Sequence, residues 1–343
     1  MLIALITAAA AFGVAACGSE DNSSSSSAGT SSGKAATTGK KIKVGVVTDI
    51  GGLNDRSFNA LAAKGLKDAE TKLGVQGRIL ISKSNADYVP NLTTLAQQKY
   101  DLIVAVGFLM TDAMNTVASK FPQSHFAIID VANASLKSKP KNVEGLLFKE
   151  QEAGYLVGYL AGLYAKGNGV STISSVGGQK IPPVDHYIAG YQAGAKAADG
   201  SIKMLNGYSQ DFVDQAKCKE IALDQASKGS KVLFQVAGQC GLGVLDAAKE
   251  KSVQGIGVDA DQAYLGPQVM TSALKKVDVA VFTAIKRAQA GQYGGGQDVV
   301  ATVKSGGVGI GKVSPKGAKY APRVKAVQAK IAAGTIQIPD TVG

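Results

Sequence analysis

The chain has 343 residues, 45% of them hydrophobic, and a formal net charge of +11. That is ample for a large core and exceeds the usual span of one domain, so two lobes are expected. The cations are scattered with no basic run interleaved with aromatics, which argues against a nucleic-acid surface; the balance suits either an anionic membrane surface or solubility alone. Cys17, Cys218 and Cys240 form no CxxC pair, and the two histidines, His125 and His186, sit at a strand start and a helix start. Zinc binding and histidine catalysis are therefore disfavoured, and no cofactor is expected.

The first residues, MLIALITAAAAFGVAACGSE, are apolar and end in small side chains. The stretch is too short and too alanine-rich for a membrane span; residues 1–17 read as a secretory signal peptide. Its end, Val14 to Cys17, resembles a bacterial lipobox, which makes Cys17 the lipidated first residue of the mature protein. No Lys or Arg precedes the apolar run, which points to a start further upstream. Residues 18–40 are Ser-, Gly- and Thr-rich and read as a flexible tether. Lipid, tether and body describe a protein held on the outer face of the cell membrane. An oxidising compartment there permits a Cys218–Cys240 disulfide.

From Lys41 onward, apolar runs alternate with amphipathic segments. KIKVGVVTD precedes a helix over about 57–73, GRILIS precedes VPNLTTLAQQ, and YDLIVAVG precedes LMTDAMNTVASKF. HFAIIDV and VEGLLF follow. These are buried parallel strands with crossover helices. A helix at about 150–165 opens a second series, with strands near GVSTISSV, SIKMLNGY, KVLFQVAG and VQGIGVD and helices over about 185–198, 212–227 and 243–251. A C-terminal helix falls within 317–333. The fold class is α/β, with two Rossmann-like lobes around a hinged cleft. The first lobe is expected over 41–148 plus about 260–290, and the second over 149–259 plus about 291–343. Open parallel sheets bind ligands beyond the carboxyl ends of their strands, and two such ends facing each other make a cleft that closes by hinging.

The first strand runs into TDIGGLNDRSFN, which has neither GxGxxG nor GK[ST]. A phosphate cradle needs free backbone N–H groups in a positive field, and Asp49 and Asp55 oppose one. Carboxylates accept from hydroxyls and ring N–H groups, and Phe58 offers a stacking face. The plainer reading makes Asp55 a helix cap and Phe58 core. Comparable strand ends recur. VAVGFLMTD carries Asp112 at a helix start, where the helix dipole alone favours a carboxylate. YSQDFVDQAK places Phe212 much as Phe58 is placed, and QVAGQCGLGVLDAA is a glycine-rich turn through Gly238, Gly241 and Gly243. GIGVDADQ ends on Asp259 and Asp261. Rings and carboxylates gathered at one edge of two sheets suit a flat heterocycle carrying a sugar.

Six segments in order, VGVVTDIGGLNDRSFN, AVGFLMTDAM, QEAGYLVGYLAG, VLFQVAGQCGLGVLDAAKE, GIGVDADQ and TSALKKVDVAV, resemble the basic membrane protein family from about Lys41 to Gly311. These are lipoprotein substrate-binding proteins of ABC transporters and include purine nucleoside receptors. The resemblance implies a fold of periplasmic-binding type I and no enzymatic activity, and the chain is expected to be a monomer. It implies a purine nucleoside as ligand and an ABC permease as partner. It also implies residue roles: Asp49 on the sugar, Phe58 and Phe212 as an aromatic sandwich, Asp112 on the base edge, and Gly241, Asp259 and Lys275 (beside Lys276) on the ribose. Asn54 is a further ligand-binding candidate. Cys240 departs from the family pattern, and its bonding to Cys218 would stiffen the wall near Phe212. Other readings of the same cleft are a nucleoside hydrolase, which would need a metal-binding aspartate cluster or catalytic histidine, a binding protein for a sugar or other small polar metabolite, and a ligand-sensing lipoprotein.

Overall fold

The computed structural model describes residues 40–343. The signal peptide, Cys17 and all but the last residue of the expected tether lie outside them. The first sheet is built from β1 (Lys43–Val47), β2 (Gln76–Leu80), β3 (Leu102–Ala105), β4 (Phe126–Ile129) and β5 (Val143–Phe148), connected by α1 (Phe58–Leu73), α2 (Tyr88–Gln97) and α3 (Thr111–Lys120). Helix α4 (Glu150–Gly167) leads into the second sheet: β6 (Thr172–Gly177), α5 (Pro182–Ala198), β7 (Lys203–Tyr208), α6 (Gln215–Ser227), β8 (Ser230–Val236), α7 (Gly241–Glu250), β9 (Gln254–Asp259) and β10 (Val269–Lys275). Then come α8 (Val277–Gln289), β11 (Asp298–Ala301), β12 (Val308–Ile310) and α9 (Ala321–Ala332).

The first sheet has the order β11-β5-β4-β3-β1-β2 and the second β12-β10-β9-β8-β6-β7. The two orders match, and all pairings are parallel except the edge strand β12, which runs antiparallel to β10. The central strands β1, β3 and β4 are apolar on both faces because helices cover both faces. Val44 and Val46 join one apolar layer with Ala62 and Leu66 of α1, while Val47 joins the other with Leu95 of α2. Side chains alternate along a strand, so successive residues feed opposite layers, and a fully buried strand must be apolar throughout.

The chain passes between the lobes at Lys149, at Lys276 and between residues 302 and 307. This corrects the expected division. Residues 269–275 belong to the second sheet, not the first lobe, and residues 298–301 form the edge of the first sheet, not part of the second lobe. Helix α8 does cover the first lobe, where Gly65 of α1 packs against Asp278 and Val281. An apolar run announces a buried strand but not the sheet it joins.

Helices α4 and α5 approach unusually closely. Gly154 and Gly158 of α4 lie against the backbone carbonyls of Tyr187 and Tyr191, and a Cβ at either glycine would collide with them. The four-residue spacing puts both glycines on one helix face. This approach brings the start of α5 beside Glu150, the first residue of α4.

Candidate functional site

A cleft lies between the lobes at the carboxyl ends of both sheets, with about 600 Å³ of open space counted out to its mouth.

The first-lobe wall is held by its own short loop. Asp49 follows β1 and is buried. Its Oδ1 accepts from Asn59 Nδ2 at 2.6 Å and from the Gly51 N–H at 3.0 Å, and Asn59 Oδ1 accepts from the Asp49 N–H at 3.1 Å. Asp55 accepts from the backbone N–H groups of Ser57 (3.1 Å), Asn59 (2.6 Å) and Ala60 (3.1 Å). It thus satisfies the open donors at the start of α1. Phe58, the first residue of that helix, lines the cleft. Gly107, just beyond β3, has φ +113°, and a Cβ there would stand 3.1 Å from Asp49 Oδ2 and 3.2 Å from the Phe58 ring. A side chain at that position would crowd both groups.

The second-lobe wall is held from a distance. Phe212 sits in the loop between β7 and α6. Its carbonyl accepts from the Cys240 N–H at 3.0 Å, and Gly178 presses against its ring. Cys240, immediately before α7, is disulfide-bonded to Cys218 in α6, with Cα atoms 5.6 Å apart. Phe212 does not open a helix as Phe58 does: α6 begins three residues later, after Asp214 caps it. Asp259 ends β9, and the Tyr187 hydroxyl donates to its Oδ1 at 3.2 Å.

The lobes meet at Lys275, which is buried at the end of β10. Its Nζ lies 2.6 Å from Asp130 of the first lobe and 2.8 Å from Glu150. It also stands 5.1 Å from the Phe58 ring centre and 4.8 Å from that of Phe148. His186 Nδ1 is 3.2 Å from the other oxygen of Glu150. A second crossing contact is made by Gln262, whose Nε2 donates to the Arg56 carbonyl at 3.4 Å. Asp130 and Asp259 follow or end the corresponding strands β4 and β9, with φ of +68° and +60°. Left-handed backbone costs a non-glycine residue roughly 1–3 kcal/mol, and a short polar side chain tolerates it best.

The cleft is rich in carboxylates. Burial pushes Asp49 up to about 6, against hydrogen bonds from Asn59 and Gly51. Burial pushes Asp259 up to about 7 and Asp130 to about 6, with Lys275 resisting both shifts. Burial alone would lower Lys275, but Asp130 and Glu150 outweigh it and hold the ammonium above its ordinary value. Among the described residues no group of three His, Cys, Asp or Glu could hold a metal ion.

Five of the expected ligand-binding residues line this cleft: Asp49, Phe58, Phe212, Asp259 and Lys275. Three do not. Asn54 is exposed in the loop after β1. The side chain of Asp112 is 88% exposed and lies 3.5 Å from Lys137. A 3₁₀ turn at Phe108–Met110 comes between β3 and α3, and Phe108 and Leu109 take the cleft positions instead. Gly241 packs against the Gln235 side chain at the start of α7. Asn59, Asp130 and Tyr187 line the cleft without having been anticipated; Asn59 also holds Asp49, and Glu150, outside the lining, holds Lys275. A lone Asp closing the apolar run HFAIID was the available signal for Asp130.

Residues 42–342 match the model of the family described as ABC transporter substrate-binding protein PnrA-like. The chain belongs to that family. It is a substrate-binding protein of ABC transporters, whose partners are a small-molecule ligand and an ABC permease, and it is not an enzyme. An ABC transporter nucleoside-binding protein BmpA of Lactococcus lactis is 35% identical over 87% of this chain and 87% of that protein. An uncharacterized lipoprotein of Pyrococcus furiosus is 37% identical, covering 81% of this chain and 72% of its own. Among solved structures, an ABC transporter solute-binding protein from Aeropyrum pernix superposes with a TM-score of 0.79 at 29% identity, over 88% of this chain and 94% of that one. The two-lobe architecture is thus that of periplasmic-type binding proteins. No helix among the described residues is long and apolar enough to cross a membrane.

Proposed function

We propose that this substrate-binding protein captures a nucleoside, foremost a purine nucleoside, between its lobes and passes it to an ABC importer. The observation that carries the reading is one phenylalanine from each lobe, Phe58 and Phe212, on a cleft whose charged groups are mostly carboxylates. A flat base stacks on the rings. Asp49 and Asp259 accept from ribose hydroxyls. Lys275 has three N–H donors and two carboxylate neighbours, which leaves one donor for a ribose oxygen. The same carboxylates repel a 5′-phosphate. The nucleoside-binding relative in Lactococcus lactis supports this ligand class, and the lipoprotein relatives support attachment through Cys17 at the outer face of the membrane. The protein acts as a monomer.

Calorimetric titration of residues 40–343 with inosine, guanosine, adenosine, cytidine, ribose and inosine 5′-monophosphate tests the reading. Saturable binding of purine nucleosides is expected, with ribose silent and the monophosphate at least tenfold weaker. Phe58→Ala should weaken nucleoside binding by about 1–3 kcal/mol, the usual worth of base–aromatic stacking. Binding of ribose alone, or of no compound in the panel, would overturn the ligand assignment.

A further inference from the structure

Between Asp298 and Asp340 the chain carries seven cations and no carboxylate: Lys304, Lys312, Lys316, Lys319, Arg323, Lys325 and Lys330. This one segment supplies seven of the formal +11. All seven side chains are exposed, and among the described residues none lies within ion-pair distance of a carboxylate. Several lysines elsewhere are paired. Lys64, Lys72 and Lys137 of the first lobe are each paired with an aspartate, as are Lys217 and Lys228 of the second.

The fold gathers most of these cations at one place. The Ser314 N–H donates to the Met270 carbonyl, near the amino end of β10, whereas the carboxyl end of that strand, Lys275, faces the cleft. Tyr320, just before α9, is seated against Gly167 at the end of α4. The segment from Lys316 to Lys330 therefore covers the pole of the second lobe remote from the cleft. Helix α9 docks through buried Val324 and Ile331. Arg323 and Lys330, seven residues apart, and Lys319, one turn earlier, fall on one stripe beside that buried face. The Arg323 guanidinium lies 5.9 Å from the Tyr159 ring centre, held in place yet exposed. Lys312 stands apart from this group, because Asp261 accepts from its backbone N–H at 3.0 Å.

We propose that this pole is a docking surface for an anionic phospholipid bilayer. Within the segment the charge has a single sign. The one aromatic within the segment, Tyr320, is buried, so no ring is offered for base stacking. Fluid lipid headgroups need neither a groove nor a fixed spacing of charges, and each cation near such a surface adds to the attraction. Because the pole is remote from the cleft, its charges can be removed without touching the ligand site.

The test is co-sedimentation with vesicles. Both sheets and their cores lie within residues 40–343, so this span folds alone, and its use removes any contribution from the apolar leader or a lipid. Binding to vesicles of phosphatidylglycerol and phosphatidylcholine is expected at low salt, with little binding to pure phosphatidylcholine. Replacing Lys316, Lys319, Arg323, Lys325 and Lys330 by Gln should weaken that binding at least tenfold. Removing five cations of the first lobe (Lys67, Lys72, Lys120, Lys137 and Lys141) by the same change should weaken it less than twofold. A milder pair, Lys316→Gln with Lys330→Gln, guards against loss of folding, read by thermal melting, and should weaken binding about threefold. Equal losses in the two five-site variants would mean that net charge alone matters and would overturn the proposal. So would absence of binding to the anionic vesicles, or tighter binding to duplex DNA than to them.

Discussion

The two walls of the cleft present similar chemistry by different means. On the first-lobe wall, Asp49 and Phe58 are fixed by hydrogen bonds among residues 49 to 60, all within one loop and the first turn of α1. On the second-lobe wall, Phe212 is fixed by groups far along the chain: the Cys240 N–H, the face of Gly178, and a disulfide spanning 22 residues. Both loops carry a carboxylate that caps the following helix, Asp55 in the first lobe and Asp214 in the second, but only the second is also stapled by a disulfide. The second-lobe loop, residues 209–214, is the shorter of the two, and Asp211 accepts from the Val213 and Asp214 N–H groups within it, yet Phe212 itself is anchored by those distant groups.

The largest expected effect is at the point where the walls join. Lys275→Met leaves Asp130 and Glu150 buried without their cation, and should lower stability by about 3–5 kcal/mol at pH 8 in urea unfolding. The loss should shrink toward pH 5, as the stranded carboxylates take up protons. A loss below about 1 kcal/mol at pH 8 would show that the two walls do not depend on this ion group.

The staple comes next. Cys218→Ala with Cys240→Ala should cost about 3 kcal/mol, from the length of loop released in the unfolded chain. Hydrogen exchange should quicken at residues 209–214 and stay unchanged at 49–59. Asn59→Ala is the mirror experiment and should cost about 1–3 kcal/mol by leaving Asp49 short of a donor. Faster exchange should then be confined to residues 48–60. Spread of either effect into the other wall would erase the distinction between them.

The pH response tests both walls at once. Asp49 and Asp259 have folded pKa values of about 6 and 7, above the unfolded value near 3.8. Between these limits the folded state binds more protons than the unfolded one. The contribution of these two groups to stability therefore rises as pH falls from 8 toward 4, then levels off. Nucleoside affinity should move the opposite way, because protonated carboxylates accept hydrogen bonds poorly. Melting temperature and calorimetric affinity, both followed from pH 8 to pH 5, check the opposed signs. Parallel trends would remove Asp49 and Asp259 from the binding role.

The difference between the walls also governs what the sequence revealed. Alternating apolar and amphipathic segments made the doubly wound class plain, because burial of a parallel sheet on both faces demands such runs. Asp49 and Phe58 were legible because strand end and helix start lie within ten residues. Asp112 was not, because a one-turn 3₁₀ segment between β3 and α3 resets the helical phase and turns that side chain to solvent. Tyr187 reaches the cleft only because glycines on α4 admit α5 so closely, a contact that no local pattern announces. Glu150 was visible only as the start of a helix, since its partners Lys275 and His186 come from elsewhere in the chain. The third passage between lobes stayed hidden because β11 and β12 are short edge strands, seven residues apart, that join different sheets.

Those two strands set a timetable. The first sheet lacks its outer strand until residues 298–301 exist, and the second until residues 308–310 do. During synthesis, β5, which ends at Phe148, keeps one edge unpaired until residue 298 is made, and β10, which ends at Lys275, until residue 308. Neither half of the trap can be completed early, so the ribosome must finish nearly the whole chain before either jaw closes on its own core.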